Sequence, residues 1–161
     1  MSRMPRLIVD NACYHIITRG NQKKSVFSAK EDYLYYLNIV KKAKKKHKIL
    51  LYGYCLMPNH VHLLIDPESG QDIPKFMHWI CRGYAAYFNA KYDKVGHLWQ
   101  GRFISKPLLK DQYLIHCSNY IEENPVRAGL TQKMDAYLWS SYNERCFHSI
   151  KTTLDEINIY G

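Results

Sequence analysis

The alternation of apolar and polar positions predicts four β-strands along the chain. Four segments are rich in β-branched and aromatic side chains and are bounded by turn residues: residues 13–19, 49–57, 60–65 and 103–109. The first stops at Gly20-Asn21, and the second and third form a hairpin around Pro58-Asn59. Pro107 cannot donate a backbone hydrogen bond, so it restricts the last strand to an edge or a bulge.

Apolar positions that recur every three or four residues predict three helices. The first follows Ser28, where Glu31 three residues later has the spacing of a capping box. Six lysines between Lys41 and Lys48 then indicate a solvated face, with DNA contact as the alternative. The second helix spans residues 73–90, and the third runs from residue 111 towards residue 125.

The order of these elements is strand, helix, strand, strand, helix, strand, helix. Hairpin strands mixed with helices predict an α+β fold, in which helices pack on an antiparallel sheet. No repeat, low-complexity segment or long linker divides the chain. We therefore expect residues 1–161 to form a single domain, the usual size being roughly 100–200 residues.

Composition adds a prediction about the partner. The 161 residues are 47% hydrophobic, which is enough to build a core. The net charge is +9, from 23 Lys and Arg against 14 Asp and Glu. Such a surplus favours a polyanionic partner, because each cation that meets a phosphate releases condensed counterions.

The cysteines and the apolar runs predict a cytoplasmic location. The five cysteines are odd in number and widely spread, without a CxxC pair, which argues against a disulfide framework and a cysteine-rich zinc module. The sequence has neither the apolar core of a signal peptide nor a run of about 18 apolar residues, so we expect no contact with a membrane.

Two histidines on the third predicted strand are candidate metal ligands. His60 and His62 point the same way, because side chains alternate between the faces of a strand, while Val61 points oppositely. On their own, two such imidazoles are more often two partly exposed histidines on a hairpin, because two ligands do not make a metal site. A metal site requires a third ligand.

The third predicted helix offers that ligand together with a tyrosine. Tyr113, Cys117, Tyr120, Ile121 and Asn124 are spaced by three or four residues, so they are expected to share one face. The proline that follows Asn124 disfavours helical geometry there, so the helix is expected to end with its amide at the rim. Spacing alone is also compatible with a half-buried core tyrosine at position 120.

Five segments in a fixed order resemble a known family. They are residues 14–21 (YHIITRGN), 57–64 (MPNHVHLL), 96–103 (GHLWQGRF), 120–129 (YIEENPVRAG) and 139–142 (WSSY). Together they resemble the single-tyrosine transposases of the HUH nuclease superfamily, and most closely the branch associated with repetitive extragenic palindromes (REP). Ile104 and Asn119 depart from this pattern, since basic residues are common at both positions.

The resemblance implies a fold, an activity and a set of site residues. It implies a ferredoxin-like or RRM-like HUH domain and a bacterial enzyme that cleaves and rejoins single-stranded DNA near hairpins. Tyr120 would attack the DNA and form a covalent 5′-phosphotyrosine intermediate. His60, His62 and Asn124 would bind a divalent metal, Mg²⁺ or Mn²⁺. The family includes monomers and homodimers.

Basic residues close to aromatic ones suit single-stranded DNA, because bases stack on rings while cations meet the backbone. The candidate DNA-binding residues are Arg19, Asn21, Arg82, Arg102, Lys106 and Arg127. The main alternative is a non-catalytic DNA-binding protein derived from a transposase. A second alternative is a zinc hydrolase that adds Cys55 or His97 to the histidine pair.

Overall fold

The computed structural model describes residues 4–147 and 153–157. It contains four strands: β1 (Ala12–Arg19), β2 (Ile49–Met57), β3 (His60–Pro67) and β4 (Ile104–Leu109). The helices are α1 (Lys30–Lys46), α2 (Ile73–Tyr92), α3 (Gln112–Glu122), α4 (Asn124–Arg127) and α5 (Ser141–Phe147). The predicted order of strands and helices as far as α3 is confirmed.

The four strands form one sheet in the order β2-β3-β1-β4, with antiparallel neighbours throughout. β1 and β2 therefore run parallel on either side of β3, with α1 as the connection between them. This is the split βαβ arrangement of ferredoxin-like folds. The predicted α+β architecture is confirmed, and β4 lies at an edge of the sheet, as Pro107 indicated.

Helices cover both faces of the sheet, and the strand alternation assigns each residue to one of them. Val61, Leu63 and Ile65 belong to the core that α1 and α2 close. Leu64 belongs to a smaller core that includes Leu114 of α3. His60 and His62 share the parity of Leu64, so they lie on the α3 face.

The start of α1 differs from the predicted capping box. The carboxylate of Asp32, not that of Glu31, accepts hydrogen bonds from the backbone N–H groups of Ser28 and Ala29, each at 2.9 Å. Asp32 also accepts a hydrogen bond from the Lys91 ammonium at 2.8 Å. Glu31 is exposed, because the helix begins later than the spacing predicted and the core lies on the side of Asp32.

The predicted single face of the third helix is also divided. Tyr113 and Tyr120 are exposed, whereas Ile121 is fully buried. Residues 120 and 121 are separated by about 100° around the helix, so one can remain at the surface while the other enters the core. The prediction that helical geometry ends at Asn124 is wrong. Helix α3 ends at Glu122, and Asn124 begins the short helix α4.

The chain after α4 adds elements that the pattern did not predict. A short 3₁₀ turn, Met134–Ala136, precedes α5, and Ser140 bridges to Cys55 of β2. Tyr54 donates a hydrogen bond to Glu144 of α5 at 2.8 Å. Within residues 4–147 and 153–157, no helix combines the length and the apolar character needed to cross a membrane.

Candidate active site

The two predicted ligands lie side by side on β3. The ring centroids of His60 and His62 are 5.0 Å apart, with the rings nearly perpendicular. His62 is buried, and His60, at the start of the strand, is half-buried. The strand alternation thus places both imidazoles on the face that α3 covers.

His62 contacts a polar group on each side of its ring. Its Nδ1 atom lies 2.8 Å from Nε2 of His15 on β1, and its Nε2 atom lies 3.1 Å from Nδ2 of Asn124. An amide N–H donated to Nε2 requires that nitrogen to carry a lone pair. His62 is then protonated at Nδ1 and donates to His15.

His60 has its ring proton on the same nitrogen as His62. Its Nδ1 atom lies 2.7 Å from the amide oxygen of the neighbouring Asn59. Because an oxygen only accepts, Nδ1 carries the proton and Nε2 carries the lone pair. Metal-binding histidines in proteins commonly have such a partner on their second ring nitrogen, which fixes the ring and its tautomer.

The donor set fits a divalent cation. Rotating the Asn124 amide by half a turn exchanges the positions of its nitrogen and oxygen. The amide oxygen then faces the lone pair on His62 Nε2, and a cation would relieve the repulsion between them. Within the described residues, no cluster of three His, Cys, Asp or Glu side chains suited to a metal occurs.

Burial keeps the imidazoles neutral. It lowers the pKa of His62 to about 3, with a further contribution from His15 and His60. Burial and then the charge of Lys106 lower the pKa of His15 to about 4, and burial also lowers the pKa of His60. Near neutral pH the rings can accept a metal without first losing a proton.

Tyr120 lies beside the histidines of its own chain. Its ring is edge-on to that of His15, with the centroids 6.3 Å apart, and 51% of the residue is exposed. The Arg127 guanidinium lies 4.0 Å from the centre of the tyrosine ring and donates to the Tyr120 carbonyl at 2.6 Å. Tyr120 is therefore connected to His62 and Asn124 through His15.

The predicted DNA-binding residues divide into two groups. Arg19 lines a pocket with His60, Lys106 lies opposite His15 in the β1–β4 register, and Arg127 covers Tyr120. Asn21 lies two residues after Arg19, and its backbone N–H donates to the Leu98 carbonyl.

The other two predicted residues are not brought to the histidine pair. Arg82 lies on α2, on the opposite side of the sheet, in a groove that Trp79 also lines. Arg102 is exposed in the loop before β4, and its charge contributes, after burial, to lowering the pKa of Arg6. Sequence spacing does not show which face of the sheet a cation occupies.

The family comparison bears directly on this site. The model of IS200-like transposases matches residues 8–124, which include all four strands and end at Asn124. The chain belongs to the IS200-like transposase family. It is therefore a DNA transposase, and the resemblance stated from the five motifs is confirmed.

One solved structure supports the fold of this transposase. A REP-associated tyrosine transposase bound to a REP hairpin superimposes with a TM-score of 0.73 at 18% identity, over 89% of this chain and 84% of that one. A candidate transposase from Deinococcus radiodurans R1 has a TM-score of 0.49 at 19% identity, over 76% and 95% of the two chains. A search of curated proteins gave no match.

Sequence reasoning overlooked several residues of the transposase site. His15 contacts His62, and Lys23, Asn59 and Gln100 line the pocket beside His60. His15 lies within the first motif, but its contact with His62 depends on how β1 is paired with β3. The pocket residues come from three separate turns, and no spacing rule connects them.

Proposed function

We propose that this transposase cleaves and rejoins single-stranded DNA beside a hairpin, with Tyr120 as the nucleophile. The observation that carries the proposal is a series of contacts within one chain: Tyr120 packs against His15, His15 contacts His62, and His62 contacts both Asn124 and His60. A single domain comprising residues 1–161 would then suffice as a monomer. We further propose that the chain belongs to the REP-associated branch, whose solved member is described as bound to a REP hairpin.

In the proposed cleavage step, the Tyr120 oxygen attacks the scissile phosphorus. A bond forms between the phenolic oxygen and phosphorus, and the bond from phosphorus to the 3′ oxygen breaks. The phenol loses its proton, and the departing strand takes one up as a 3′ hydroxyl. Rejoining reverses these changes: a 3′ hydroxyl attacks the phosphotyrosine and releases the phenol, so no other energy source is needed.

His60, His62 and Asn124 are the proposed ligands of Mg²⁺ or Mn²⁺. Such a cation, when bound, offsets charge on the scissile phosphate and orients it for in-line attack. The protein supplies two neutral nitrogens and one amide oxygen, so the ligand set adds no negative charge beside the phosphate. His15 is a proposed positioning residue, since its Nε2 atom accepts a hydrogen bond from the Nδ1–H group of His62. This contact directs the Nε2 lone pair of His62 towards the site.

The proposed DNA path uses the exposed cations around this site. Arg19, Lys106 and Arg127 are near enough to the histidines and Tyr120 to contact the strand that enters. We retain Asn21, Arg82 and Arg102 as proposed DNA contacts, with Arg82 serving DNA that passes to the other side of the sheet. Phosphate contacts of this kind position the DNA and carry no sequence information.

A covalent adduct assay tests the proposal. The protein is incubated with a labelled stem-loop carrying single-stranded flanks, with Mn²⁺ or with EDTA, and is denatured before electrophoresis. We expect a denaturation-resistant adduct with Mn²⁺ only. Tyr120→Phe should reduce its formation on the order of 10³-fold or more, because the nucleophile is removed.

Tyr113→Phe is the matched control, since Tyr113 is on the same helix and 68% exposed. It should form the adduct at the parent rate. An adduct that persists in Tyr120→Phe would overturn the assignment of the nucleophile. Retardation of the DNA without any adduct would instead support the non-catalytic binding protein.

A further inference from the structure

Three turns at one end of the sheet are fastened together beside His60. The Gly20 N–H donates to the Asn59 carbonyl at 2.8 Å, which joins the turn after β1 to the β2–β3 turn. The Gln100 N–H donates to the Arg19 carbonyl, also at 2.8 Å, which adds the loop before β4. The three turns therefore hold a fixed relative position.

The turn after β1 adopts an unfavourable backbone conformation. Gln22 and Lys23 both have positive φ, 55° and 58°. Non-glycine residues rarely adopt this conformation, and strain of this kind is concentrated at functional sites. Gly20 permits the close approach, because a Cβ atom there would overlap the Lys24 carbonyl oxygen.

The turns enclose a pocket of about 300 Å³ next to the proposed metal ligand. Its lining residues are Arg19, Lys23, Asn59, His60 and Gln100. Two are cationic and none is acidic, so the pocket suits an anion. Asn59 is engaged with His60, whereas the Gln100 side chain is exposed and has no hydrogen bond within the described residues.

We propose that this pocket binds the nucleotide adjoining the scissile phosphate and that Gln100 reads its base. The inference rests on the proposed function, because a strand that reaches His60 must pass the pocket. Arg19 and Lys23 contact the nucleotide's phosphate. The carboxamide of Gln100 offers a donor and an acceptor side by side, which matches the N6–N7 edge of adenine.

The base-reading test uses single-stranded flanks with each of the four bases at the two nucleotides next to the cleavage position. Adduct formation by the parent protein should favour adenine at one of them by roughly 5–100-fold, the range for one bidentate contact. Gln100→Ala should reduce this preference to about twofold or less and leave the other position unchanged. An unaltered preference in Gln100→Ala, or none in the parent, would overturn the base assignment.

The phosphate contact is tested by binding alone. Lys23→Asn removes the charge, and Asn tolerates positive φ. In the Tyr120→Phe background with EDTA, it should weaken binding of all sequences equally and lower the slope of log K against log salt by about 0.7, the value for one single-stranded phosphate. The control Lys45→Gln, beside Ile49 at the opposite end of the hairpin, should leave the slope unchanged.

These measurements separate the two proposals. Binding with EDTA does not require the tyrosine or a metal, so the salt slope tests the pocket even if no adduct ever forms. A slope that is the same in Lys23→Asn and in its parent would overturn the phosphate contact. An adduct that forms normally while both pocket variants behave like the parent would leave the proposed function intact and eliminate the pocket.

Discussion

The two faces of the sheet treat their buried polar groups differently. On the α1–α2 face, the Asp32 carboxylate accepts hydrogen bonds from two backbone N–H groups, from Lys91 and from the hydroxyls of Tyr87 and Tyr92. On the α3 face, His62 directs a ring nitrogen at the Asn124 amide, which can rotate to present its oxygen to a cation.

The Asp32 network on the first face contributes to stability, whereas the imidazoles and the phenol on the α3 face serve the proposed reaction. The Asp32 network joins the start of α1 to the end of α2, and its groups satisfy one another. The α3 face keeps neutral imidazoles and an exposed phenol close to solvent, where a substrate can reach them. Substitution of Asp32 should therefore change the free energy of unfolding, and substitution of the proposed metal ligands or the exposed phenol on the α3 face should change metal binding or the reaction with DNA.

The largest effect on stability is expected from Asp32→Ala. The change leaves buried N–H and hydroxyl donors without an acceptor and Lys91 without its partner. Leaving a buried hydrogen-bond donor without its acceptor costs about 1–3 kcal/mol for each donor. Urea unfolding should show this loss, while the rate of adduct formation per folded molecule remains that of the parent.

Glu31→Ala is the control for this prediction. It removes the neighbouring carboxylate, which is exposed, and should change the free energy of unfolding by less than about 0.5 kcal/mol. Equal losses in the two variants would contradict the assignment of the cap to Asp32. A reduced adduct rate in correctly folded Asp32→Ala would contradict the separation of the two faces.

Acid should destabilise the protein through the α3 face. The pKa of His15 is about 4 in the folded protein and 6.5 ordinarily, so between these values the unfolded chain binds a proton that the folded one does not. Stability therefore falls as the pH is lowered from about 6.5 to about 4. About 2.5 pH units at 1.36 kcal/mol each give a loss of up to about 3 kcal/mol from this group.

Urea unfolding of the parent and of His15→Gln at pH 7 and pH 4.5 measures this contribution. The parent should lose more stability than the variant on acidification, because glutamine does not titrate. An equal loss in both proteins would show that His15 is not held neutral by the fold. His62 remains in both proteins and supplies a common background.

The smallest effect is expected on metal affinity, from the residue that contacts His62. His15→Leu removes the acceptor for the Nδ1 proton of His62, and loss of such a partner typically weakens metal binding 10–100-fold. His15→Gln retains a carbonyl acceptor and should restore most of the affinity. Titration of Mn²⁺ followed by electron paramagnetic resonance measures both, and equal affinities in the two variants would contradict the positioning role.

Local patterns were sufficient for the strands and for the pair on β3. The alternation in residues 60–65 predicted two imidazoles on one face, and the turn residues Pro58-Asn59 predicted the hairpin that presents them. Pro107 predicted an edge strand, and β4 is one. These features depend on neighbours a few positions away, which is the range over which side-chain alternation and turn chemistry act.

Local patterns were insufficient where a choice depended on the core. Ser28 and Glu31 had the spacing of a capping box, but Asp32 caps α1 because α2 brings Lys91 and two tyrosines to it. Likewise, the helical spacing of residues 73–90 could not show that Arg82 would lie on the far side of the sheet from the histidines. Helix packing decides which face of an element meets which partner.

The sequence alone determined the order of elements, the excess of positive charge, the histidine pair and, through five ordered motifs, the family. Tertiary structure alone decided that His15 would contact His62, that Tyr120 would reach the histidines of its own chain, and that three turns would enclose one pocket. The physical reason is the distance along the chain over which each effect acts. Strand alternation and turn residues act within a few positions, whereas the site joins segments about 40–100 residues apart through sheet register and helix packing.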